Sequence, residues 1–361
     1  AFIAFAACKK EVTNDGPGSL FSQQSSLAIS ENPLKDRWKP FLSKIRVKNE
    51  ALLKSDEYYK SFFAKMTKAV DPSECNTSPL DPIIKGYLDQ FDFWDFVLYP
   101  DYAAISQLAA IIDQSKQYFG ANGEYTHLVV KQQRRLESFW NMPNQIRING
   151  EHTVTLDNRD RVAQVFMIFD NATPEEAYYI ADQVIAMSKE SRVFPETPLL
   201  AFDGFSTPSK LIVLGDGLIT ALTATGVVDD IVVAGMISHE WGHQVQYINS
   251  KKWYGFPASN RPFTAEFTRQ VELEADFFSS YFLTHKRGGA YNWKRVAGFN
   301  ELFFNIGDCA FTSYGHHGTP RQRLNASRLG YSIADQTMPK GHILSADTLH
   351  QIFMRNLKNL L

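Results

Sequence analysis

Residues 228–249 read VDDIVVAGMISHEWGHQVQYIN, and this stretch decides how the rest of the chain is organised. It holds no proline, its apolar positions recur at three- and four-residue spacing, and Asp229 or Asp230 can cap its start, so the pattern predicts a helix. Within it stands His239-Glu240-Trp241-Gly242-His243. Residues four apart on a helix share a face with Cβ atoms about 5–6 Å apart, which lets His239 and His243 reach one metal ion. Glu240 follows the first of them and flanks the coordination position that water would take. Zinc suits this set, because imidazole is a good ligand for it and the ion imposes little geometric preference of its own. A paired histidine face also occurs as hydrogen-bonded core, so a third ligand has to decide.

That ligand is expected downstream, in a second helix over residues 263–285 that contains Glu272-Leu273-Glu274-Ala275-Asp276. Glu272 and Asp276 are four apart and share a face, while Glu274 points about 160° away from Glu272. Glu272 is the expected third ligand. Asp276 is expected to accept a hydrogen bond from the non-ligating nitrogen of a zinc-bound histidine, fixing its tautomer. Ala275, Phe277 and Phe278 beside them argue for a buried face, and Gly235 and Gly242 are small enough to let the two helices touch.

With these residues in hand the chain resembles a family. His239-Glu240-Trp241-Gly242-His243-Gln244-Val245-Gln246, Glu272-Leu273-Glu274-Ala275-Asp276, Ile306-Gly307-Asp308 and His317-Gly318-Thr319-Pro320-Arg321-Gln322-Arg323 look like the successive motifs of bacterial neutral zinc metallopeptidases. The Glu272-to-Asp276 element is similar to that of CAAX-type prenyl endopeptidases, which widens the resemblance to gluzincins. It covers residues 199–331 and leaves the N-terminal half aside. Where the family carries a second acidic residue after Ile-Gly-Asp, this chain has Cys309.

The resemblance implies a zincin-like catalytic domain, expected as an α+β unit over 121–361 with a mixed sheet and an active-site helix, and the apolar spacing upstream predicts a helical region over 38–120 before it. The resemblance also implies that His317 stabilises the tetrahedral intermediate, with His316 or Tyr314 as substitutes. The local sequence agrees, because Thr319-Pro320-Arg321-Gln322 is a capping box at a helix N-terminus and places His317 just ahead of a positive dipole end. Arg323 is expected in a structural ion pair. The activity implied is peptide hydrolysis with a single zinc ion on His239, His243 and Glu272, and with Glu240 and His317 as the catalytic pair. The substrate is then a peptide or protein, and the strand over 210–214 is the expected edge for it to join. Two other readings compete: a catalytically silent zinc-binding surface lipoprotein, and a zinc hydrolase of a non-peptide amide.

The remaining elements follow from local patterns. Residues 43–69 and 82–118 carry helical spacing, punctuated by Asp71-Pro72 and Tyr99-Pro100. From 125 to 169 the period reads as two, with Asn149-Gly150 as a hairpin turn between 146–148 and 153–156, and 165–169 as a buried strand. Thr173-Pro174-Glu175-Glu176 opens a helix with a capping box. More strand is expected over 199–202 and 210–214, closed by the turn Gly215-Asp216-Gly217.

Composition sets the outer bounds. The chain has 361 residues, 44% of them hydrophobic, which is enough for a sizeable core. Lys and Arg number 37 against 39 Asp and Glu, so the net charge of -2 gives no footprint for nucleic acid. The apolar run Ala1 to Ala7 reads as the tail of a secretory signal, and Phe5-Ala6-Ala7-Cys8 resembles a bacterial lipobox with Cys8 as the lipidated residue. The polar stretch over 9–37 has the composition of a flexible tether. These features imply a lipid-anchored protein of the bacterial cell envelope, attached to the outer membrane and facing the periplasm or the exterior. In that oxidising setting Cys75 and Cys309 could pair, although sequence supplies no distance between them.

Overall fold

The computed structural model describes residues 79–262, 264–304, 318–337 and 341–361. Cys8 and the apolar start, the stretch 9–37, the segment 43–69, Cys75, Ile306 to Cys309, Tyr314, His316 and His317 lie outside the described residues. In chain order the elements are α1 (Asp81–Leu88), α2 (Phe93–Ile112), α3 (Thr126–Phe139), β1 (Arg147–Glu151), α4 (Arg159–Phe169), α5 (Pro174–Ser188), β2 (Gly204–Thr207) and β3 (Leu211–Gly215). There follow α6 (Asp216–Ala224), α7 (Asp229–Tyr254), α8 (Ala265–Thr284), α9 (Trp293–Phe304), α10 (Pro320–Thr337) and α11 (Ala346–Leu360). The class is α+β: mostly helix, with one small mixed sheet in the order β1-β3-β2. No described helix is long and apolar enough to cross a membrane.

The sheet is thin but has two covered faces. β1 runs parallel to β3, pairing Ile148 with Ile212, and β2 runs antiparallel to β3, pairing Ser206 with Ile212. Successive side chains of a strand point to opposite faces. Phe205, Leu211 and Val213 accordingly pack on Ala110 of α2, while Ile212 and Leu214 join the main core with Ile237 and Trp241 of α7. That core runs from Leu80 to Leu360, so residues on both sides of position 120 share it.

α7 is the spine of the molecule. Its 26 residues start after Val228, with Asp229 and Asp230 in the first turn rather than at the cap, and they end at Gly255, whose φ of 86° suits a residue without Cβ. Buried residues occupy every position from Ile231 to Tyr247. A helix buried all round needs partners for its polar groups, and α7 carries Ser238, His239, Glu240, His243, Gln244 and Gln246 in that stretch. Gln244 Nε2 donates to the carbonyls of Thr207 and Leu211, both at 3.0 Å, which ties the helix to the sheet. α8 packs against α7 on one side and α10 on the other. Its start is capped by Thr264, whose hydroxyl accepts from the amide of Phe267 at 3.2 Å.

Several sequence expectations are corrected. Asn149-Gly150 is no hairpin turn but lies inside β1, where Asn149 Nδ2 donates to the carbonyls of Ala110 at 2.7 Å and Asp113 at 2.9 Å. The expected partner strand is instead a 3₁₀ turn, Thr153–Asp157. Residues 165–169 belong to α4, because Asn158 caps that helix and Val162, Ala163, Val165 and Phe166 bury one face at helical spacing. The stretch 199–202 forms a 3₁₀ turn, Pro198–Ala201, and Asp216 opens α6 directly after β3. The helix α3 sits where an alternating pattern was expected. Pro100 lies within α2, and the break falls before Phe93, where Asp92 and Asp95 form a reciprocal capping box. β3 is the central strand, so residues 210–214 cannot be the edge that a substrate joins.

Candidate metal centre

Three of the expected site residues converge from two helices. His239 and His243 lie one turn apart on α7, and Glu272 comes from the facing turn of α8. Glu272 Oε2 is 3.4 Å from His239 Nε2, and its Oε1 is 3.4 Å from His243 Nε2. One ligand atom from each residue can be chosen so that all lie within 4.8 Å of one another. Ligand atoms around a tetrahedral centre with bonds of about 2.0–2.1 Å stand roughly 3.3–3.4 Å apart. This buried group could therefore hold a metal ion.

The close approach of the two helices is local. A Cβ built on Gly242 would stand 3.0 Å from Ala275 Cα and 3.2 Å from its carbonyl oxygen, so a larger residue would press α7 and α8 apart by a few tenths of an ångström. Gly235 meets a different neighbour, the ring of Phe299 in α9. The serines Ser238 and Ser279 bridge α7 and α8, with their hydroxyls 2.6 Å apart.

Both imidazoles are oriented through Nδ1. Asp276 Oδ1 stands 2.9 Å from His239 Nδ1, near enough for the carboxylate to favour a proton on that nitrogen. Arg323, at the start of α10, donates to both oxygens of Asp276, which makes the expected structural ion pair. The capping box of α10 is present as well, with Thr319 N donating to Gln322 Oε1 at 3.0 Å and Gln322 N to Thr319 Oγ1 at 3.2 Å. His243 Nδ1 instead meets Gln246 Oε1 at 2.9 Å. Gln246 was missed by the sequence reading, although its place three residues after His243 put it on the same helical face.

Glu274 also differs from expectation. It does point away from Glu272, yet it is fully buried and accepts from Gln246, Tyr254 and His350.

The electrostatics follow from burial and the carboxylates. Burial works against the charged form of His239, but Asp276 and Glu272 outweigh it and carry its pKa up to about 10. His243 is likewise opposed by burial and raised overall, by Glu272. Burial raises Glu240 more than the two histidines lower it. With no cation bound, Asp276 and Glu272 thus favour the protonated form of His239, and a cation held at its Nε2 would compete with that proton.

Glu240 lies beside β2. Ser206 Oγ donates to its backbone carbonyl at 2.7 Å, and a Cβ on Gly204 would be 3.8 Å from its Oε1. Glu240 Oε2 is buried and finds no hydrogen-bond partner among the described residues. An ionisable oxygen in such a place is costly to the fold alone, which suits a group whose partner is a bound ligand or water. Set against family models, curated proteins and solved structures, the chain matches none of them.

Proposed function

We propose that the chain is a zinc-dependent metallopeptidase of zincin-like architecture, with His239, His243 and Glu272 as zinc ligands and Glu240 as general base. The observation that carries this reading is the buried Glu240 Oε2, without a hydrogen-bond partner among the described residues, on the same helix as two histidines that face Glu272. A site that only held a metal for stability would have no use for Glu240. When bound, zinc would supply a Lewis acid and bring the pKa of water at its open position down towards about 7.

Glu240 would take the proton of the attacking water and return it to the leaving amine. Asp276, held by Arg323, keeps His239 Nδ1 protonated and its Nε2 turned to the site. Among the described residues β2 is the outer strand beside Glu240, and an extended peptide would have to add along it.

Metal analysis combined with peptide-library cleavage tests the reading. Wild type should hold about one zinc per chain and cleave peptides, and Glu240→Gln should keep the zinc while losing turnover. Zinc bound by a wild type that turns over no peptide or amide would leave a silent metal-binding module. Amide turnover that needs Glu240, without peptide cleavage, would leave a hydrolase of non-peptide amides.

A further inference from the structure

Behind His243 lies a buried polar chain that runs to the C-terminal helix. Gln246 Nε2 is 2.8 Å from the carbonyl of Val271 and 3.2 Å from Glu274 Oε2. A backbone carbonyl can only accept, so the amide nitrogen of Gln246 must face Val271 and its oxygen must face His243. His243 Nδ1, at 2.9 Å from that oxygen, must then carry the proton, which leaves the Nε2 lone pair directed to the side where Glu272 stands. The tautomer of His243 is thus set by the Val271 carbonyl, acting through the Gln246 amide.

Glu274 secures the other end. Its Oε2 also accepts from the Tyr254 hydroxyl, and its Oε1 is 2.6 Å from His350 Nδ1 of α11. His350 is stacked on Trp253 of α7, with ring centroids 4.4 Å apart and planes within 3°. Gln246 and Glu274 are 0% exposed, so no solvent competes for these bonds. A buried polar chain whose members are all partnered rigidifies the groups it joins, and here those groups end at His243.

We propose that Gln246 and Glu274 are positioning residues of the metal centre, which hold His243 in its Nδ1-protonated form with Nε2 presented beside Glu272, and that α11 takes part through His350. The proposal rests on the metal reading of His239, His243 and Glu272. It adds that the two histidines are held unequally, His239 by a carboxylate and His243 by a neutral amide whose own orientation is imposed.

The test needs no catalytic readout. Zinc affinity of the full chain is measured by competition with a chromophoric chelator, and the ligand field is read from the visible spectrum of the Co²⁺-loaded protein. Gln246→Leu should lower zinc affinity by about 10–100-fold and shift the Co²⁺ bands, and Glu274→Gln should act in the same direction. Asp347→Ala serves as a control for simple loosening of α11, because Asp347 accepts from Trp253 Nε1 at 2.8 Å and from Lys252 at 2.6 Å but lies outside the chain to His243. It should lower the Tm while leaving affinity and bands unchanged.

Wild-type affinity and bands in a folded Gln246→Leu would overturn the proposal. Should that variant not fold, the same result in Glu274→Gln or His350→Gln overturns it. A wild-type chain that takes up neither ion brings down the metal reading itself, and is told apart because the failure appears without any substitution.

Discussion

Arg323 grips Asp276 through both nitrogens of its fork: Nε donates to Oδ2 at 2.7 Å and Nη2 to Oδ1 at 2.8 Å. The pair is buried, and the same Oδ1 stands 2.9 Å from His239 Nδ1. Arg323 therefore acts on His239 through an intermediate, from a helix that contributes nothing else to the site described above.

Removing one member of a buried ion pair strands the other, at a cost of about 3–5 kcal/mol. Arg323→Ala should lose stability on that scale in denaturant unfolding. Arg323→Lys keeps the charge but not the paired geometry, and should fall between. Asp276→Ala should in addition lower metal affinity or activity by about 10–100-fold. A loss below about 1 kcal/mol in Arg323→Ala would mean that the pair is loosely held in solution.

His239→Ala, His243→Ala and Glu272→Ala should each abolish stoichiometric metal, because two remaining ligands do not hold the ion well. Elemental analysis of the purified variants checks this. Retention of a full equivalent by Glu272→Ala would move the third ligand elsewhere.

These residues were legible in sequence because i, i+4 spacing places two side chains on one helical face whatever the fold around them. Asp276 was readable for the same reason. The sheet was less so. Asn149-Gly150 carries the signature of a tight turn, and what keeps it in a strand is the burial of the Asn149 amide on two carbonyls near the end of α2, contacts of long range in the chain. The five apolar residues from Val165 to Phe169 fit a strand or a helix equally, and the deciding feature is the cap at Asn158. Glu274 read as an acid turned away from the site. Its partner His350 lies 76 residues later, and no local pattern announces it.

The metal-free protein should lose stability as pH rises. The His239 pKa stands at about 10 when folded against 6.5 for the free side chain, so between these values the folded chain binds a proton that the unfolded chain has released. The stabilisation is complete below about pH 6.5 and is lost as pH climbs towards 10. Metal must displace the same proton, so its affinity should rise across that window and its uptake should acidify a weak buffer. Thermal melts of the metal-stripped chain across the window check the first point, and pH-stat titration with zinc checks the second. Flat stability would show His239 to be neutral before any metal arrives.

Gly242 gives a prediction whose sign depends on which of two effects wins. Glycine in a helix interior costs up to about 1 kcal/mol relative to alanine, so Gly242→Ala gains that much from the backbone alone. Against this, the new Cβ would stand 3.0 Å from Ala275 Cα, 3.2 Å from its oxygen and 3.3 Å from its Cβ. Two of those atoms are main chain and cannot swing away. Overpacking of this kind costs about 1–3 kcal/mol, so the net effect should be destabilising. The strain also has a direction, since Gly242 precedes His243 on α7 and Ala275 precedes Asp276 on α8. Pushing the helices apart at this point widens the gap between the histidines and Glu272, and zinc affinity should fall with stability. Gly298→Ala, in α9 with no atom of the described residues within 4 Å of the added Cβ, should instead stabilise by up to about 1 kcal/mol and leave zinc affinity unchanged. Paired denaturant curves and zinc competition on the two variants decide it. A stabilised Gly242→Ala with intact affinity would show that α7 and α8 can separate without disturbing the ligands.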